Sequence, residues 1–238
     1  MTEERSAEIC DRLRQVREKI AGIATLYRRE TPPALIAVSK TFPAGDILAA
    51  TLAGQRRFGE SYVQEARGKI QQLAEYNLEW HFIGPLQSNK TRAVASYFDW
   101  VHSIDRAAIA QRLSSQRPPS LPDLQICLQV NISGELSKSG VDVSELDELV
   151  AEVADLPRLR LRGLMAIPAR TPDVSRRRAA FHALHDTFLR LQKSGLPLDT
   201  LSMGMSDDLE AAVAEGSTLV RVGTAIFGSR HHKILDRD

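Results

Sequence analysis

Apolar residues recur along this chain in two alternating periods. Ile9, Leu13, Val16, Ile20, Ile23 and Tyr27 follow one another at spacings of 4, 3, 4, 3 and 4. That is one stripe of an amphipathic helix, predicted over residues 3–29. Thr31-Pro32-Pro33 ends it. The pattern stops too soon for a coiled-coil seam, so the helix is expected to pack on its own domain. Beyond it, short β-like runs alternate with helical stretches. The strands are predicted at 35–40, 57–59, 79–84, 100–104, 124–132, 161–167, 200–203 and 219–222. The helices are predicted at 46–53, 62–73, 89–97, 106–115, 144–156, 176–193 and 207–215, with Ser144 as the cap of the fifth. Strands separated by helices pair in parallel. Eight such strands in this length predict an α/β fold, a single (β/α)8 TIM barrel over 35–228 with an additional N-terminal helix, all in one domain spanning 1–238. The alternative is a doubly wound open sheet. The lack of a G-x-G-x-x-G turn counts against its nucleotide-binding forms.

Composition narrows the function classes. The chain has 238 residues, 31 Lys plus Arg against 30 Asp plus Glu, and a formal net charge of +1. Such a balance gives no overall field for nucleic acid or a membrane surface, so an anionic ligand must be held by local geometry. The two cysteines, Cys10 and Cys127, argue against a disulfide scaffold. No apolar run approaches the ~20 residues of a membrane span, and MTEERSAEIC lacks the apolar core of a signal peptide. A cytoplasmic protein is expected.

In a parallel barrel the chemistry sits at the C-terminal ends of the strands. Lys40 closes the otherwise apolar first strand, LIAVSK. A partly desolvated lysine can attack a carbonyl as the free amine. The loops after strands seven and eight are the usual phosphate sites. Here they read Met203-Gly204-Met205-Ser206-Asp207-Asp208 and Arg221-Val222-Gly223-Thr224. Ser206 and Thr224 offer hydroxyls beside backbone N–H groups, and Gly204 and Gly223 allow close backbone approach. Asp207 and Asp208 would repel a phosphate and must point away from it. Arg221 alternates with Val220 and Val222, which aims it into the barrel, where it needs an acceptor. A ligand ring nitrogen or a neighbouring carboxylate would serve. A lysine nucleophile beside a phosphate cradle fits a sugar-phosphate aldolase or a pyridoxal phosphate (PLP) protein. His182 and His185, three apart on a helix, lack a third metal ligand, so no metal site is expected. Arg176-Arg177-Arg178 reads as a solvated face. His81 fits either the core or the rim of a site.

These same segments carry a resemblance. LIAVSKTFPA, FGESYVQEA, WHFIGPLQSNK, LQVNISGELSKSG, RLRGLMAIP and LSMGMSDDLEAAVAEGSTLVRVGTAIFG together resemble the pyridoxal phosphate homeostasis protein family, from about residue 5 to residue 230. The resemblance implies the barrel of the alanine racemase N-terminal domain and PLP held as a covalent aldimine to Lys40. It further implies that Ser206, Gly223 and Thr224 bind the phosphate and that Arg221 contacts the pyridine nitrogen. One position departs from the family pattern GENYVQE. Ser61 stands where that pattern has asparagine, so an amide contact to the cofactor is lost or bridged by water, and weaker or altered binding is expected. Racemisation needs acid/base groups on both faces of the cofactor. The barrel and its opening helix use all 238 residues and leave no second domain to supply one. A guanidinium on the ring nitrogen also weakens the electron sink. The expected role is therefore a non-catalytic carrier or buffer in vitamin B6 homeostasis, with PLP-requiring apo-enzymes as partners. A racemase-like enzyme or a Schiff-base aldolase is the alternative.

Overall fold

The structure is a computed structural model describing residues 2–135, 139–169 and 171–229. The eight strands are β1 (Ala34–Val38), β2 (Arg57–Glu60), β3 (Glu79–Phe82), β4 (Trp100–Ile104), β5 (Leu124–Gln129), β6 (Leu159–Met165), β7 (Thr200–Ser202) and β8 (Leu219–Val222). They pair in parallel, each with its neighbour in sequence, and β8 returns to β1 to close the barrel. The helices described are α1 (Glu3–Leu26), α2 (Ala44–Leu52), α3 (Val63–Gln72), α4 (Thr91–Tyr97), α5 (Ala107–Gln116), α6 (Leu146–Val153), α7 (Val174–Lys193), α8 (Leu209–Ala214) and α9 (Thr224–Phe227). The single closed barrel replaces the open-sheet alternative. No helix among the described residues is long and apolar enough to cross a membrane.

The opening helix behaves as its stripe predicts. Ile9, Leu13, Val16, Ile20 and Ile23 are buried, and α1 packs against α2, α8 and α9. It ends at Leu26 and not at residue 29. Arg28 takes a left-handed φ of 52°, which lets the Arg29 N–H return to the Ala24 carbonyl at 2.9 Å. Other boundaries shift for similar local reasons. β1 stops at Val38, so Lys40 lies in the turn beyond the strand. β5 stops at Gln129, where Val130 bridges to Val141 and bends the chain. Asp142, not Ser144, caps the turn before α6, accepting the Ser144 N–H at 2.9 Å. The short helix α9 was not anticipated.

The main core lies between the strands and the surrounding helices. A smaller apolar cluster, Ile36, Trp100, Cys127, Met165 and Leu219, sits apart from it. Alongside these residues the barrel buries polar ones. His81, His102 and Ser202 are fully buried, and Arg221 is nearly so. His81 Nδ1 lies 3.0 Å from His102 Nε2, and His102 Nδ1 lies 2.8 Å from Ser202 Oγ. Polar groups from β3, β4, β7 and β8 thus satisfy one another across the buried interior of the barrel.

β6 reaches β7 through a glycine. A Cβ on Gly163 would stand 1.8 Å from the Thr200 carbonyl oxygen, a backbone atom that cannot step aside. Gly163→Ala is expected to cost about 3 kcal/mol or more of stability in urea unfolding. Burial lowers the His81 pKa from 6.5 and holds that of His102 well below it. The unfolded chain takes up these protons as pH falls through its ordinary histidine value, and the folded chain does not. Stability is therefore expected to be full above that value and to fall on acidification towards about pH 5, by up to ~1.4 kcal/mol per pH unit per histidine. Urea midpoints measured across that range check it.

Candidate functional site

The closure of the sheet determines which side chains meet. Ile36 pairs with Arg221 and Ala37 with Val222, while Val38 pairs with Gly59 on the other side. The turns that follow β1, β2 and β8 are therefore neighbours at one mouth of the barrel. Lys40, half-buried, donates from Nζ to Ser61 Oγ at 3.4 Å. Gly223 packs against Val38, the last residue of β1, two residues before Lys40. A Cβ on Gly223 would stand 3.0 Å from the Val38 carbonyl oxygen. Thr224, which opens α9, is exposed, and Ser206, on the loop after β7, is half-exposed.

The turn bearing Lys40 is held from below. Thr41 adopts a left-handed φ of 71°, and its N–H donates to Glu65 Oε1 at 2.6 Å. Lys69 on α3 gathers the same region. Its Nζ donates to the Ser39 carbonyl at 2.8 Å, to Glu60 Oε1 at 2.7 Å and to Glu65 Oε1 at 2.5 Å. Ser39 Oγ donates to Glu60 Oε1 at 2.6 Å. Glu60 is fully buried, and its second oxygen, Oε2, has no hydrogen-bond partner. Burial pushes its carboxyl pKa up, against the pull of Lys69. The sequence reading passed over this Glu60–Lys69 pair. Its signal was Glu65 and Lys69, four apart on one helix face. On the far side of the same turn, a Cβ on Gly84 would stand 2.6 Å from the Ser61 carbonyl oxygen, so β3's exit loop braces Ser61.

Arg221 points into the barrel, as its alternation with two valines indicates. Its hydrogen bonds do not go to a carboxylate. Nη1 donates to the Ser202 carbonyl and to Ser202 Oγ, both at 2.6 Å, and Nη2 donates to the Ala166 carbonyl at 3.0 Å. A planar guanidinium has five donors, and these three bonds leave capacity for another acceptor. Burial in this dry setting lowers its pKa to about 10, with the charge of Asp208 opposing the shift. Arg221 therefore stays charged at neutral pH. The nearby Cys127 thiol is pushed up to about 12 by burial and remains protonated.

In the loop after β7 one of the two aspartates is tied back. Asp208 turns back on its own loop and accepts the Met205 N–H at 2.5 Å. Asp207 is exposed, and its carbonyl accepts from Arg177 Nη1 at 2.8 Å. Gly204 answers a different demand from the one expected. Its φ is +98°, and a Cβ would stand 2.5 Å from the Ala212 Cβ, so the glycine serves close packing of α8. Arg176 and Arg178 are exposed, as a solvated face would be, and pair with Asp173 and Glu215, while Arg177 is half-buried. His182 pairs with Glu215 at 2.9 Å, and no cluster among the described residues could hold a metal. His81 belongs to the barrel interior and not to the rim.

Comparison with known proteins places this geometry in a family. Residues 12–231 match the model of the alanine racemase N-terminal domain. A pyridoxal phosphate homeostasis protein of Escherichia coli K12 is 56% identical, with 94% of this chain and 98% of that one covered. A protein of the same name from Pseudomonas aeruginosa is 55% identical over 91% and 96% of the two chains. Among solved structures, PipY of Synechococcus elongatus with PLP bound superposes with a TM-score of 0.81 at 38% identity, covering 92% of this chain and all of PipY. Alanine racemase from Corynebacterium glutamicum shares the fold, with a TM-score of 0.68 at 17% identity, and this chain spans 60% of its length. The chain belongs to the family of pyridoxal phosphate homeostasis proteins, built on the alanine racemase N-terminal domain.

Proposed function

We propose that this protein binds PLP through Lys40 and holds it for delivery to PLP-requiring apo-enzymes in the cytoplasm, without catalytic turnover. The observation that carries the reading is the convergence of Lys40, Arg221 and the β7 and β8 loops on one mouth of the barrel. The names of the curated relatives and the PLP in the PipY structure support it. When bound, PLP supplies an aldehyde that condenses with a primary amine and a pyridine ring that can draw electrons.

The chain's own residues fit that group. Lys40 offers the amine at the mouth, with Ser61 Oγ as its neighbour. The Ser206 and Thr224 hydroxyls, with the backbone at Gly223, provide neutral donors for a phosphate arm. The Asp208 carboxylate is turned onto its own loop, away from that task. Arg221 would donate to the ring nitrogen and keep its own proton, since burial lowers its pKa only to about 10. A ring nitrogen that receives a hydrogen bond but no proton is a weak electron sink, which favours holding over turnover. The titratable groups around Arg221 point the same way. Cys127 stays a thiol, and both ring nitrogens of His102 are already engaged.

Reduction of the PLP-loaded protein with borohydride is expected to trap the cofactor on Lys40, located by peptide mass spectrometry. In Lys40→Ala the adduct should vanish together with the visible absorbance. An unchanged adduct would assign the wrong lysine. Loaded protein should restore activity to a PLP-requiring apo-enzyme and should not racemise alanine by itself. Sustained turnover would overturn the carrier reading. Ser61→Asn restores an amide beside Lys40, and titration followed by absorbance is expected to show binding tightened by roughly threefold to tenfold.

A further inference from the structure

Glu79, His81, His102, Ser202 and Arg221 form one hydrogen-bonded column through the barrel. Its two ends determine its direction. A guanidinium only donates, and an ionised carboxylate only accepts. Arg221 Nη1 donates to Ser202 Oγ at 2.6 Å, so the hydroxyl proton of Ser202 is left for His102 Nδ1 at 2.8 Å. A neutral His102 then carries its proton on Nε2 and donates to His81 Nδ1 at 3.0 Å. His81 in turn carries its proton on Nε2 and donates to Glu79 Oε1 at 2.8 Å.

The surroundings keep both rings neutral. His81 faces Glu79, Arg57, Asp99 and His102, and burial outweighs the carboxylates. His102 faces His81 and Arg221, which add to the effect of burial. Arg57 Nε donates to the same Glu79 oxygen at 3.0 Å, which keeps the carboxylate at the foot of the column an acceptor. Only one placement of the protons satisfies every link. Reversing either imidazole would set two N–H groups, or two lone pairs, against each other. Aligned donors of this kind polarise one another and strengthen the chain.

We propose that Ser202, His102, His81 and Glu79 are positioning residues for Arg221: the column draws the Ser202 proton away, so that the hydroxyl always accepts from Arg221 and holds the guanidinium aimed at the mouth. The proposal rests on the reading that Arg221 meets the ring nitrogen of PLP. A serine hydroxyl is otherwise free to rotate, and one turned towards Arg221 would oppose it.

Two measurements test the idea. Proton–nitrogen correlation spectra of the ligand-free protein with labelled histidine should show His81 and His102 as neutral Nε2–H tautomers, assigned by difference with His102→Leu. In Ser202→Ala the Glu79 end still orders both rings as Nε2–H, and only the His102 Nδ1 signal should shift, because that nitrogen loses its donor. The same variant should bind PLP about tenfold more weakly, equivalent to about 1.4 kcal/mol. Its affinity for the deaza analogue, in which carbon replaces the ring nitrogen, should not change. His102→Leu should reproduce that selective loss. An Nδ1–H tautomer on either ring in the unmodified protein, or equal losses for PLP and the analogue, would overturn the proposal. If the unmodified protein binds neither compound, the PLP reading fails with the positioning role, and the tautomer spectra still decide the direction of the column.

Discussion

The site depends on the pairing of β1 with β8. Four residue pairs, from Ala34 with Leu219 to Ala37 with Val222, join strands from opposite ends of the chain. Lys40 lies two residues past the end of β1, and Gly223 and Thr224 directly follow β8. Without this pairing those turns have no reason to be close. With it, an amine, a guanidinium and two hydroxyls share one opening. The glycines at 223 and 84 are part of the same constraint, because each brings one loop against the backbone of its neighbour.

The price of a polar interior is spread over several groups. Arg221 is buried without a carboxylate among its hydrogen-bond partners, and its charge is met by carbonyl and hydroxyl dipoles. Glu60 and Lys69 form a second buried charged group directly beneath the lysine turn. Buried ion pairs of this kind contribute little net stability, and removing one partner leaves the other stranded. Their placement is better understood as fixing the turn that carries Lys40, whose Thr41 is held in an unfavourable left-handed conformation.

Much of this was legible in the sequence. Strand and helix periodicity gave the barrel, and the alternation Val220-Arg221-Val222 gave the direction of Arg221, because local period alone decides both. Lys40 stood out as a charge closing an apolar run. The buried network was not legible for a physical reason. Whether His81 faces His102, or Glu60 faces Lys69, depends on register between separate strands and helices, which no local pattern encodes. The cap before α6 was misread because Asp142 and Ser144 are both good capping residues, and only the backbone decides which one is used.

The position of α1 bears on how the chain comes to be folded. Its apolar stripe packs on α2, made soon after it, but also on α8 and α9, which are made last. During synthesis that stripe has only part of its final cover, and β1 likewise waits for β8. Neither this mouth of the barrel nor the full seat of the first helix exists until β8 and α9 have left the ribosome. The nascent protein therefore carries an incompletely covered helical face until α8 and α9 follow it.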